Sequence, residues 1–292
     1  MGTDPFLFPT MNIGPYTLQA IETGRFALDG GAMFGVVPRP LWEKTCPPDE
    51  RNRISMAARA LLLQGDGRRI LIDTGNGSKF DQKFRTIYGI ETGEHDILSS
   101  LRAAGIRPEE ITDVILTHLH FDHAGGATVR EGRDIRPTFP NAVYHVQREH
   151  WEAAMRPTER DRASFVPDDF VPLHEHGLIR FTEGETEVLP GITVRVVHGH
   201  TAALQCPVVS DGTTTLFYCA DLIPMTPHVQ LPWIMAYDLR PLVTLEEKRS
   251  VLNQAADERW TLFFEHDPSV AAARVRRGDK GFSLDVPVDV GA

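Results

Sequence analysis

Cysteine is scarce in this 292-residue chain: Cys46, Cys206 and Cys219 are widely spaced and in no CxxC arrangement. That excludes a disulfide framework and a cysteine metal knuckle, and it makes a reducing cytoplasm the expected compartment. No run approaches the roughly 20 apolar residues that a bilayer-spanning helix needs. No basic segment followed by an apolar one opens the chain as an export signal would, so neither anchoring nor export is expected. Positive charge is in deficit, with 30 Lys plus Arg against 40 Asp plus Glu and a formal net charge of −10. Such a surface repels phosphate backbones and anionic lipid on average, so neither nucleic acid nor membrane is an expected partner. A GxSxG elbow is missing, which removes the usual support for a serine hydrolase. Gly30-Gly31-Ala32-Met33-Phe34-Gly35 lacks the Lys-Ser/Thr of a phosphate loop and the following helix of a dinucleotide site, and reads as a flexible apolar flap.

What is present describes an ordinary globular chain, 41% hydrophobic and 24% charged. Residues 1–10, ahead of a second methionine at Met11, read as a vector-derived or disordered leader. With no repeat, low-complexity tract or long linker, residues 11–292 are expected to form one domain. Ala57 to Leu63 and Arg69 to Ile72, joined by Gly65-Asp66-Gly67, predict a hairpin ending at Asp73-Thr74-Gly75. Asp96 to Ala104 predicts a helix, capped by Asp96 and ended by Gly105. Short strands are expected at Val114 to Thr117, Tyr144 to Val146, Leu178 to Phe181, Thr193 to Val197, Pro207 to Val209, Thr215 to Cys219 and Thr261 to Phe264. Arg148 to Met155 predicts a short helix, Arg156 to Pro172 an exposed insertion that could lie over a site, and Thr244 with Glu247 a capping box for a helix reaching Trp260. Strands alternating with helices and hairpins predict an α/β architecture with helices outside two packed sheets.

Twelve histidines occur, and three crowd into Thr117-His118-Leu119-His120-Phe121-Asp122-His123-Ala124-Gly125-Gly126. His118 and His120, two apart at the end of an extended segment, project to one side. Asp122 and His123 are adjacent and point to different places as the chain turns. Four donors in such a short stretch can serve two neighbouring metals, and imidazole with carboxylate suits zinc, iron or manganese.

At this point the chain resembles the metallo-β-lactamase-fold hydrolases, whose HxHxDH motif stands intact as His118, His120, Asp122 and His123. The resemblance continues in order through Asp73 to Gly75, Gly199-His200-Thr201, Tyr218-Cys219-Ala220-Asp221 and Glu265-His266-Asp267. It implies a four-layer αββα sandwich with a dinuclear site at one sheet edge. One ion would be held by His118, His120 and His200, the other by Asp122, His123 and His266, with Asp221 bridging. Asp122 and Asp221 would then be the catalytic carboxylates, and Asp73 would orient the His-rich loop from behind. His198 competes with His200 but lacks the Gly-His-Thr context; His174 and His176 form an HxH pair among Pro and Glu and read as solvated.

Two ions a few ångströms apart would lower the pKa of a shared water to roughly 7. The expected chemistry is hydrolysis of a lactone or carboxylic ester by a bridging hydroxide, with phosphotriesters as promiscuous substrates. Zinc is the expected metal, with manganese, iron and cobalt as alternatives. The flap, Leu231-Pro232-Trp233 and Ala236-Tyr237-Asp238 most resemble the subgroup of quorum-quenching lactonases and organophosphate hydrolases. Met33, Phe34 and Trp233 are the candidate substrate wall, with Leu231 and Ile234 beside them. His228 is a candidate hydrogen-bond donor replacing the Tyr that such lactonases carry after the bridging Asp, where Leu222-Ile223-Pro224 stands here. A small ester-like molecule is the expected partner, and a homodimer is compatible with the apolar N-terminal segment. The alternatives are a glyoxalase II-like thioester hydrolase and an iron-dependent oxidoreductase of the same fold.

Overall fold

In the computed structural model, which describes residues 11–91 and 96–291, alternation along the strands builds two sheets that share a core. The leader expected at residues 1–10 lies outside the described residues. The first sheet takes β1 (Met11–Ile13), β2 (Tyr16–Asp29), β3 (Arg53–Gly65), β4 (Arg68–Ile72) and β5 (Asp113–Ile115). After a separate hairpin of β6 (Thr128–Glu131) and β7 (Asp134–Pro137), it is completed by β8 (Val143–Gln147) and β9 (Ile179–Thr182). The second sheet runs in chain order through β10 (Glu187–Leu189), β11 (Ile192–Val197), β12 (Leu204–Ser210), β13 (Thr215–Tyr218), β14 (Thr261–Phe263), β15 (Ala272–Gly278) and β16 (Gly281–Pro287).

Successive strand side chains face opposite ways. Leu61 and Leu63 of β3 therefore pack between the sheets against Leu204, Cys206 and Phe217, while Ala60 and Leu62 face an outer core. The helices are α1 (Gly30–Phe34), α2 (Arg39–Trp42), α3 (Gln82–Tyr88), α4 (Ile97–Ala103), α5 (Phe121–Ala124), α6 (Arg148–Ala154), α7 (Val171–Glu175) and α8 (Pro241–Glu258). Ile97 and Leu101 of α4 and Ala154 of α6 close the outer core of the first sheet, and Val251, Leu252 and Ala255 of α8 join the second. The result is the expected αββα sandwich.

The hairpin between β3 and β4 turns on two residues of positive φ, Asp66 (50°) and Gly67 (69°), the backbone a two-residue type I′ connection requires. Helix α4 begins on a reciprocal cap in which Asp96 accepts from the Ser99 N–H and Ser99 Oγ accepts from the Asp96 N–H. The C-terminal helix departs from expectation. Pro241, with its φ pre-set, occupies the first helical turn and starts α8 three residues before Thr244, so no capping box forms. Glu247 instead accepts the N–H groups of His198 (2.7 Å) and Gly199 (3.0 Å), bracing the loop that carries His200.

The apolar flap is not loose. Gly30 to Phe34 is α1, with Met33 and Phe34 fully buried, and its glycines serve close approach: a Cβ on Gly30 would strike the Trp42 ring, and one on Gly35 (φ 56°) the carbonyl of Ile234. Nor is the insertion simply exposed, because Phe165, Asp169 and Phe170 are buried under its surface.

The sheets position the site through their parallel pairs. β4 with β5 and β13 with β14 run parallel, so neighbouring strands end at the same edge, where α/β sheets bind ligands. Tyr218 pairs with Phe263, and three residues beyond each stand Asp221 and His266.

Candidate metal centre

Asp73 leaves β4 in the left-handed region (φ 59°), a conformation Asp tolerates better than most residues. Its buried carboxylate accepts from the Thr117 N–H (2.8 Å) and Thr117 Oγ1 (2.8 Å) and lies 3.0 Å from His123 Nδ1. It thus fixes both ends of the His-rich loop. His118 and His120 follow β5, and α5 starts directly after His120, turning Asp122 and His123 toward the same edge. His118 Nε2 and His200 Nε2 lie 3.0 and 3.2 Å from His120 Nδ1. His200 Nδ1 donates to Asp238 (2.9 Å), and His266 Nδ1 donates to the carbonyl of Ala57 (2.9 Å), so each ring presents Nε2 to the site.

Asp221 sits between two groups of donors. Its Oδ2 is 3.0 Å from His200 Nε2 and 3.8 Å from His118 Nε2, whereas its Oδ1 is 3.2 Å from His266 Nε2 and 3.6 Å from His123 Nε2. Asp122 lies 3.7 Å from His266 Nε2 and 3.9 Å from His123 Nε2. All seven residues singled out as ligands therefore meet at one sheet edge.

The donors fit cations. His118, His120, His200 and Asp221 offer four ligand atoms within 4.8 Å of one another, and His123, Asp221, Glu265 and His266 offer four more. His120 Nε2 and Glu265 Oε2 are buried without a hydrogen-bond partner, although such groups are normally satisfied. Burial, with neighbouring histidines, holds His118 and His120 well below the usual imidazole range. Burial also disfavours charge on His200 and His266, yet Asp221 and Asp238 outweigh it and raise His200 to about 10, while Glu265 and Asp221 raise His266 to about 9. The metal-free cluster thus holds protons where cations would sit. Glu265, Asp122 and Asp221 likewise outweigh burial at His123 and raise it, so loading these three rings with zinc at pH 7 is expected to release about three protons per chain, with affinity falling as the pH falls. Calorimetry in buffers of different ionisation enthalpy reads that number, and a count near zero would contradict the arrangement.

Above these donors lies a cavity of about 270 Å³. His120, Asp122, His200, Asp221 and His266 contribute to its lining, together with Leu28, Met33, Met56, Met235, Tyr88 and Tyr237. Of the four candidate substrate residues, only Met33 reaches it. Phe34, the next residue on a short helix, points elsewhere. It stacks between Trp42 (5.3 Å between centroids) and His228 (5.0 Å), with Trp233 edge-on at 5.4 Å, in a packed layer behind the wall. His228 Nε2 donates to the Met33 carbonyl (2.8 Å), and burial lowers the ring to about 4; the donor role expected of it is not available there. Leu231 packs on the inter-sheet core, and Met235 to Tyr237 take the place expected of Leu231 and Ile234.

Residues 56–266 match the metallo-beta-lactamase superfamily. The chain belongs to that superfamily. An N-acyl homoserine lactonase from Bacillus sp. is 31% identical over 86% of this chain and 92% of its own, and another, from Bacillus cereus, is 29% identical over 74% and 83%. A solved structure of a probable metal-dependent hydrolase from Staphylococcus aureus superposes with TM-score 0.87 at 28% identity, covering 95% of this chain and 98% of that one. A structure described as a dizinc quorum-quenching lactonase in complex with a product gives TM-score 0.78 over 96% and 97%; at 23% identity that likeness is one of fold.

Besides Leu28, Met56, Tyr88, Arg160 and Met235 of the cavity wall, two residues beside the donors of this superfamily member were not singled out from the sequence as parts of the site. Glu265 Oε1 lies 3.0 Å from His123 Nδ1 and 3.2 Å from His266 Nε2, and burial raises its carboxyl to about 7 against the pull of those histidines. The available signal was a carboxylate directly after the apolar strand Leu262-Phe263-Phe264, the same feature that drew attention to Asp221. His150 accepts the Leu119 N–H at Nε2 (2.8 Å) and donates from Nδ1 to the Ala202 carbonyl (2.7 Å), tying the His118–His123 loop to the His200 loop. No sequence pattern marks it. His198 stays outside the cluster, accepting from the Ala203 N–H, and His174 stacks on Trp151.

Proposed function

We propose that this metal-dependent hydrolase opens lactones or cleaves carboxylic esters at a site for two divalent ions, zinc in the first instance. The same donors also accept manganese, iron or cobalt. His118, His120 and His200 would hold one ion; His123 and His266, with Asp122 or Glu265, the other; Asp221 would contact both. The observation that carries the reading is Asp221 itself, whose two oxygens face different donor groups across a buried site. Divalent ions bound there supply Lewis acidity, polarising the carbonyl under attack and acidifying water.

The chain's own residues do the rest. Asp122, in the cavity wall, is placed to receive the proton of the attacking water. Burial raises the Tyr88 and Tyr237 phenols above their usual range, so both remain neutral donors available to a substrate oxygen. Leu28, Met33, Met56 and Met235 exclude water and accept an apolar acyl or alkoxy group. Among the described residues Arg160 is the one Lys or Arg in the wall, which favours an uncharged ester over a glutathione thioester with its two carboxylates. An uncharged phosphotriester meets the same requirements. Relatives described as N-acyl homoserine lactonases support the lactone reading.

A panel of lactones, esters, thioesters and phosphotriesters, assayed with metal content measured on the same preparation, tests it. Turnover is expected to track bound metal and to favour a lactone. Activity in metal-free protein, or a preference for a glutathione thioester, would overturn the proposal.

A further inference from the structure

Behind the ligand-bearing turn lies a charged pair that the hydrolytic reading does not use. The Lys79 side chain is buried, and its ammonium donates to the carbonyls of Gly125 and Thr128 (2.8 Å to the latter) and lies 3.0 Å from Asp169 Oδ1. Two carbonyls and a carboxylate thus surround the ammonium, and Asp169 is itself fully buried. The acceptors come from separate segments. Gly125 closes the turn carrying Asp122 and His123, Thr128 opens β6, and Asp169 ends a segment that runs back over the cavity.

That segment places Phe165 against the His120 ring (4.7 Å between centroids) and pairs with His120 through the backbone. Ser164, Ala163, Asp161 and Arg160 then line the cavity, and the Arg160 guanidinium donates to the Ala236 carbonyl on the opposite rim. One end is thus held by an exposed contact, of a kind that fixes little. The other is held by a dry ion pair, which contributes little net stability but tolerates few alternative arrangements.

We propose that residues 160–169 form a substrate-recognition arm, and that the buried Lys79–Asp169 pair, which touches no reacting atom, sets its seat over the cavity and hence which acyl or alkoxy groups fit. This rests on the reading of the cavity as an ester or lactone site. Lys79 and Asp169 are positioning residues: they act through the arm.

The test uses the full chain loaded with zinc, in two forms. Asp169→Asn keeps the shape and removes the charge. The double variant Lys79→Met/Asp169→Leu removes both charges together, which a fold survives more readily than one uncompensated charge. In both, amide exchange across 160–169 is expected to quicken at least about tenfold, with metal content equal to the parent. KM for a long-chain lactone should rise about tenfold while kcat for a short-chain lactone stays within about twofold. Unchanged exchange in both variants would overturn the proposal. So would a loss of metal with parallel losses on both substrates, since the pair would then support the ligand turn. A parent protein that turns over no lactone or ester sinks the hydrolytic reading instead, and the exchange measurement still decides the arm.

Discussion

Asp221→Ala is expected to abolish turnover and to leave the protein unable to retain a full complement of metal. The carboxylate meets His200 and His118 through one oxygen and His266 and His123 through the other, so its removal strips both donor groups at once. A residue that only supports a ligand typically costs roughly 10–100-fold when removed; a donor shared by two groups should cost more. Charge acts in the same direction. His200 and His123 hold the Asp221 carboxyl well below its usual range, and Asp221 in turn helps to raise His200 to about 10 and His266 to about 9. Without it, five buried histidines face the same space with less compensating charge. Elemental analysis after dialysis and steady-state kinetics check the expectation, and a variant that keeps two metals per chain and measurable activity would show that Asp221 is no bridge.

The second large effect concerns a residue that need not touch metal. Asp73→Asn preserves volume and keeps one acceptor for Thr117, but turns an amide N–H₂ or a single carbonyl toward His123 Nδ1, which the native carboxylate meets at 3.0 Å. The ring then loses one of the two carboxylates at its Nδ1, Glu265 remaining at 3.0 Å, and with it the partner that ties the ring to Thr117, so metal affinity should fall roughly 10–100-fold. Asp73→Ala goes further, leaving the buried Thr117 N–H and hydroxyl without an acceptor, at about 1–3 kcal/mol for each group. Competition with a chelator and thermal unfolding of the metal-free protein separate the two effects. Asn is expected to lose affinity chiefly, and Ala both affinity and stability. Equal metal affinity in all three proteins would sink the orienting role.

Much of the architecture was legible because its signals are local. Gly65-Asp66-Gly67 specifies a two-residue turn through positive φ, and Asp96 with Gly105 brackets α4. β2 went unseen: its alternation is interrupted at Thr23 and Gly24, where its pairing with β3 shifts register between Glu22 and Arg25. The capping box at Thr244 failed because Pro241 nucleates the helix earlier and frees Glu247 for the His200 loop. Met33, Phe34, Trp233 and His228 were grouped by being apolar or near in sequence. Which of them face the cavity depends on helix phase and on a Trp42 ring already filling the other side of α1.

The chain by itself determined the chemistry on offer: a dense set of imidazoles and carboxylates at strand ends, three scattered cysteines and a formal net charge of −10. Only the tertiary structure decided which side chains meet. His123 and His266, 143 residues apart, approach to 3.2 Å because β13 and β14 pair in parallel register and end at the edge reached by the His-rich loop after β5. Convergence over such distances is a property of strand pairing and sheet packing, which no local pattern encodes. The same holds for Glu265, His150 and the Lys79–Asp169 pair: each acquires its role from neighbours distant in sequence and brought within hydrogen-bonding range by the fold.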